Sequence, residues 1–193
     1  NSLPLGKLSG RHAFIEKLKE LQLDFEEAEI KTLFVKFKNL ADKKHDITDA
    51  DIRALVAGTT VENVEGFHFS NLKLTSNADE TITATVTMIN QEAETVDLLA
   101  NGQGSVEAIF NAIDKFFNQT VRLDTFNIDA VTEGIDAQAA VNVTVENVDT
   151  DTIFNATGID FDVLKAAAIA YINANIMVQK ENEGQLARLS EKD

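Results

Sequence analysis

An α+β fold, with a small helical segment followed by two βββα units, is predicted by three features of this 193-residue chain. Apolar residues recur at helical spacing from about residue 11 to residue 57. From Phe67 onward apolar positions alternate with polar ones, the pattern of strands with one buried face. After three such strands and a helix, the same order of elements occurs a second time.

The first predicted helix carries Phe14, Ile15, Leu18 and Leu21 along one face. The second has an apolar stripe of Ile30, Leu33, Phe34, Phe37, Leu40 and Ala41, with Glu27, Lys31, Lys36 and Lys38 around the rest of its surface. A third begins at Thr48-Asp49-Ala50-Asp51, where Thr48 caps free amides and the acids suit the positive end of the helix dipole. Gly58 ends this pattern, and the polar run to Gly66 reads as a linker.

Phe67, Phe69, Leu72 and Leu74 mark the first strand; Ile82, Ala84, Val86 and Met88 the second; residues 95–100 the third. Gly102-Gln103-Gly104 then leads into a helix with Val106, Ile109, Phe110, Ile113, Phe116 and Phe117 at apolar positions. In the second unit the strands are expected at 121–132, 137–146 and 152–156, and the helix at about 161–178. Ala100-Asn101-Gly102 and Ala156-Thr157-Gly158 mark corresponding exits from the third strands. The charged tail is expected to extend the last helix before fraying. The predicted organisation is thus a helical subdomain over 1–57, a linker over 58–66, the two βββα units over 67–180 and a tail over 181–193.

Composition narrows the function. With 32 acidic against 17 basic residues the net charge is −15, which repels phosphate backbones and anionic lipid, so neither nucleic acid nor membrane is expected as a partner. The absence of cysteine excludes disulfides, thiolate metal sites and thiol nucleophiles, and fits a cytoplasmic location. The most apolar stretch, Val163 to Val178, is interrupted by Lys165, Asn173 and Asn175 and is too short to span a bilayer. The N-terminus lacks the pattern of a secretion signal and does not begin with Met, so it reads as a cut from a longer chain.

Little suggests catalysis. His12, His45 and His68 fall in three different elements without metal-ligand spacing. Asp49-Ala50-Asp51 and Asp149-Thr150-Asp151 lack the glycine and distal glutamate of a calcium loop, and read as cap and turn residues. The glycosylation patterns at Asn118, Asn142 and Asn155 have no meaning in a cytosolic chain. No catalytic residue and no metal ligand is assigned. Gly102-Gln103-Gly104-Ser105 admits two readings. Its glycines let a carboxylate or phosphate approach the amides opening the next helix, or they serve a tight strand-to-helix turn. Neither the third glycine of a dinucleotide fingerprint nor the Gly-Lys-Ser/Thr ending of a P-loop follows.

Several segments resemble one family. Residues 5–14, Leu-Gly-Lys-Leu-Ser-Gly-Arg-His-Ala-Phe, are similar to the segment that follows the catalytic barrel of the 2-isopropylmalate synthases. Residues 37–44 and 47–51 look like that family's next two linker helices. Residues 100–108 resemble its Gly-Asn-Gly-Pro turn, and residues 134–140 a second motif of its regulatory domain. The resemblance implies the C-terminal linker and regulatory region of an acyltransferase that condenses acetyl-CoA with 2-oxoisovalerate in leucine biosynthesis. In that family two βββα units dimerise and bind leucine as feedback inhibitor, while a metal-dependent barrel performs the chemistry. The barrel's His-x-His motif is absent here, so the chain is expected to be inactive alone and to need no cofactor, the divalent metal belonging to the missing barrel.

Carried over by motif, the leucine site comprises Gly102, Gln103, Gly104 and Val106 at the first turn, with Ala137 and Ala139 in the second unit. Asp124 or Asp136 is then a candidate for leucine's ammonium group. The sequence departs from the family at Gln103 and Ser105, where Asn and Pro are usual, and at Leu8, where His is common. Phe14 replaces a tyrosine of some members and is assigned no catalytic role. The similar region of citramalate synthase, which senses isoleucine, and a dimerisation module without an effector remain alternatives.

Overall fold

The computed structural model describes residues 4–57, 62–130, 134 and 137–191. Three helices come first, α1 (Arg11–Glu20), α2 (Glu27–Lys43) and α3 (Asp49–Ala57). Strands β1 (His68–Ser76), β2 (Ile82–Ile89) and β3 (Thr95–Gly102) with α4 (Ser105–Phe117) form one unit. Strands β4 (Val121–Ala130), β5 (Ala139–Asn147) and β6 (Thr152–Asp160) with α5 (Val163–Ser190) form the second. Each sheet is an antiparallel meander in sequence order. The expected α+β class and the repeated βββα order are both present.

The helices α1–α3 close around their own apolar cluster, in which Phe14 and Phe37 stack with ring centroids 4.9 Å apart. A bridge between Leu5 and Ile47 ties the N-terminal segment to the approach of α3. Glu26 and Glu29 form a reciprocal capping box at the start of α2. At α3, Thr48 Oγ1 accepts from the Asp51 amide (3.2 Å) while Asp51 Oδ2 accepts from the Thr48 amide (2.9 Å), so both serve the capping expected of them. Asp51 is fully buried and ion-paired with Lys44 at 2.9 Å.

One core runs through both βββα units. The alternating residues Ala84, Val86 and Met88 of β2, and Val141, Val143 and Val145 of β5, face the helices. Helix α5 is buried around nearly its whole circumference from Ala166 to Ile176, because it packs on β5 and β6 as well as against α4 and β1. Its run of alanines permits this enclosure on several sides. Across the two units, Phe110 and Tyr171 stack at 4.0 Å, and the Tyr171 hydroxyl donates to Asp114 at 2.6 Å. Burial raises the Asp114 carboxyl pKa, an effect partly offset by that hydrogen bond.

Two expectations change in detail, the end of β6 and the placement of Lys36. Strand β6 runs to Asp160, beyond the expected end at 156, because Gly158 still pairs with Val141 of β5. Helix α5 continues unbroken to Ser190, the extension expected of the charged tail, anchored where Asn147 and Thr150 donate to Glu181 at 2.8 and 2.6 Å. Lys36, expected on the outer surface of α2, is half-buried and lines a cleft against the second unit. Positions 131 and 132 of the expected fourth strand, and positions 58–61 of the expected linker, lie outside the described residues.

Candidate functional site

The glycine turn sits where β3 hands the chain to α4. Gly102 is the last residue of β3 and is buried, and a Cβ there would fall 2.5 Å from the Ala108 amide nitrogen. Only hydrogen fits against this helical backbone. Gly104 is the N-cap of α4, with extended φ −135° and ψ 172°, and no side-chain hydrogen bond caps the helix. The amides of Ser105, Val106 and Glu107 open the helix at the positive end of its dipole. Gln103 and Gly104 are exposed, Ser105 and Val106 are half-buried, and Val106 leans on the main core. The arrangement suits a carboxylate above the turn with an apolar group beside Val106.

Ala137 and Ala139 lie at the start of β5, both half-buried, and Ala139 pairs with Asp160 of β6 and Ala130 of β4. The two sets of residues occupy different sheets. Gly102 pairs with the first residue of β2 and Ala139 is the first residue of β5, so each set sits at the same end of its own unit. Asp124, at a bulge in β4, is 3.6 Å from Arg122 Nε and already has a cation beside it. Asp136 lies outside the described residues.

Asp49 pairs with Lys17 at 3.1 Å, and Asp149-Thr150-Asp151 forms the β5–β6 turn with Asp151 left-handed at φ 59°. Among the described residues no group of three or more His, Asp or Glu side chains is placed to hold a metal ion. No helix among them is long and apolar enough to cross a membrane.

Sequence reasoning missed a cleft of about 370 Å³ between α2 and the β6–α5 connection. Lys36, Lys43, Lys165, Gln138, Asp160 and Phe161 are among the residues lining it. The only legible signal is the spacing of Lys36 and Lys43, seven residues apart and therefore on one face of α2.

The sequence profile of the LeuA allosteric (dimerisation) domain matches residues 46–178. The chain belongs to that family. Residues 1–45 match a second profile, described as homocitrate synthase post-HMGL domain-like. Relatives at high identity carry one name. The 2-isopropylmalate synthase of Streptococcus gallolyticus (strain UCN34) is 73% identical over 97% of this chain and 36% of its own length. That of Lactococcus lactis subsp. lactis (strain IL1403) is 54% identical over 100% of this chain and 37% of its own length. That of Listeria monocytogenes serotype 4b (strain CLIP80459) is 41% identical over 91% and 34% respectively. The chain therefore spans about a third of the length of these curated relatives.

Proposed function

We propose that the chain is the C-terminal allosteric region of a 2-isopropylmalate synthase, a homodimerising module that binds leucine and so restrains the condensation of acetyl-CoA with 2-oxoisovalerate. In this reading residues 1–57 are the linker subdomain, 67–180 the regulatory dimerisation domain and 181–193 a tail. The acyltransferase chemistry and its divalent metal belong to the rest of the parent protein, which works in the cytoplasm. The family match over both βββα units carries the proposal.

The uncapped amides of α4 receive the leucine carboxylate, as helix N-termini favour anions. The isobutyl group rests against Val106, with the short side chains of Ala137 and Ala139 leaving room for it. Leucine inhibits by binding one arrangement of the paired units more tightly than the other, and by reciprocity the catalytic state alters leucine affinity equally.

Gly104→Asp tests the placement of the carboxylate. A Cβ at Gly104 meets nothing within 4 Å and its backbone is extended, so aspartate is sterically tolerated. An aspartate N-cap accepts from the helix amides and is expected to stabilise the fold by a few tenths of a kcal/mol. The same carboxylate occupies and repels the ligand's position, so leucine affinity is expected to fall roughly tenfold or more. Unchanged leucine affinity in this variant, measured by calorimetry beside a thermal melt, would remove the carboxylate from the turn.

A further inference from the structure

The cleft beside α2 is a meeting of cations in a strongly acidic protein. Lys36 and Lys43 reach it from α2, and Lys165 from the first turn of α5. Among the described residues none of the three forms an ion pair, although the chain has 32 acidic side chains against 17 basic ones. Among the described residues Asp160 is the one acid in the lining, and its Oδ1 accepts from the Asp162 amide at 2.8 Å. Lys43 Nζ lies 5.2 Å from the centroid of the Phe161 ring, so one wall is aromatic where another is cationic. Three ammonium-bearing side chains thus line one recess, and among the described residues no acid is ion-paired with any of them. Burial pushes the Lys36 pKa down to about 8, because desolvation disfavours the charged ammonium.

We propose that this cleft is a second ligand site, built for a small organic anion that presents a carboxylate or phosphate to Lys36, Lys43 and Lys165 and an apolar group to Phe161. Its size, about 370 Å³, falls within the range of small-molecule pockets. One wall is α2 with Leu55 of α3, from the helical cluster, and the other joins the end of the second βββα unit to Phe69 and Ser70 of β1. An anion held between them fastens those two bodies together, so occupancy favours one relative placement. The site is separate from the glycine turn of α4, and the proposal stands whether or not leucine binds there.

The test is calorimetry of the full chain at low salt with benzoate, phenyl phosphate and inorganic phosphate as probes. Saturable binding of at least one is expected, roughly tenfold weaker in Lys36→Met and in Lys165→Gln. Binding should be kept in Lys43→Arg and in Gly104→Asp. Preference for benzoate assigns a carboxylate, and preference for either phosphate probe assigns a phosphate. Should Lys36→Met fail to fold, Lys165→Gln on the other wall carries the comparison. Carbon NMR of the Lys36 side chain in the unsubstituted chain gives an independent reading, its titration midpoint moving upward as the probe saturates. Absence of saturable binding by all three probes at millimolar concentration overturns the proposal, as does equal binding by the wild type, Lys36→Met and Lys165→Gln.

Discussion

Gly158→Ala is expected to destabilise the chain by about 3 kcal/mol or more. The added Cβ would lie 2.2 Å from the Ala166 carbonyl oxygen and 2.4 Å from the Ala170 amide nitrogen. Both are backbone atoms of α5, so no rotamer change relieves the overlap. Either β6 leaves its pairing with β5, or α5 lifts away from β5, β6 and α4 together. Gly102→Ala provides a graded comparison. Its Cβ would be 2.5 Å from the Ala108 nitrogen, but Gly102 ends its strand and is followed by the exposed Gln103, so the chain can shift. A loss of about 1–2 kcal/mol is expected there, and Gly104→Ala should lie within about 0.5 kcal/mol of wild type. Urea unfolding of the three variants checks the order, and equal stabilities would refute the close packing of third strand on helix.

Asp51→Ala is expected to cost about 3–5 kcal/mol through a different mechanism. The Asp51 carboxylate is fully buried and accepts from the Thr48 amide at 2.9 Å, the Thr48 hydroxyl at 3.0 Å and Lys44 Nζ at 2.9 Å. Truncation leaves the Lys44 ammonium, whose side chain is only 10% exposed, without its counter-charge. It also deprives the Thr48 amide and hydroxyl of their acceptor at the start of α3. Asp51→Asn retains an acceptor for the cap and should lose less. The double variant Lys44→Met, Asp51→Leu, which removes both charges, should recover part of the loss. Full additivity of the two single changes in urea unfolding would show that the pair is not coupled.

Legibility in the sequence followed the range of the interactions. The alternation of Ala84, Val86 and Met88, and the stripe of Leu33, Phe37 and Leu40, were readable because one face of each element is buried and the other is not. Helix α5 lacks that contrast, since residues from Ala166 to Ile176 are enclosed on nearly all sides, and its length came from anchoring contacts at Glu181. Gly158 could be matched to Gly102 by its tripeptide, yet its packing against Ala166 and Ala170 depends on a helix that approaches only in three dimensions. The glycine turn was legible as a local motif. The lysine cleft was not, because Lys36, Gln138 and Lys165 come from segments about a hundred residues or more apart in the case of α2, and no local pattern joins them. Lys36 also fitted the polar side of an amphipathic helix, where lysine is ordinary.

Leucine sensing is tested most directly by calorimetric titration of the chain with leucine, isoleucine and valine in turn. The expected result is saturable leucine binding, roughly tenfold or more tighter than isoleucine or valine. Selective binding of isoleucine would instead mark a citramalate-synthase type of regulator, and a folded dimer that binds none of the three would contradict amino-acid sensing by this chain altogether.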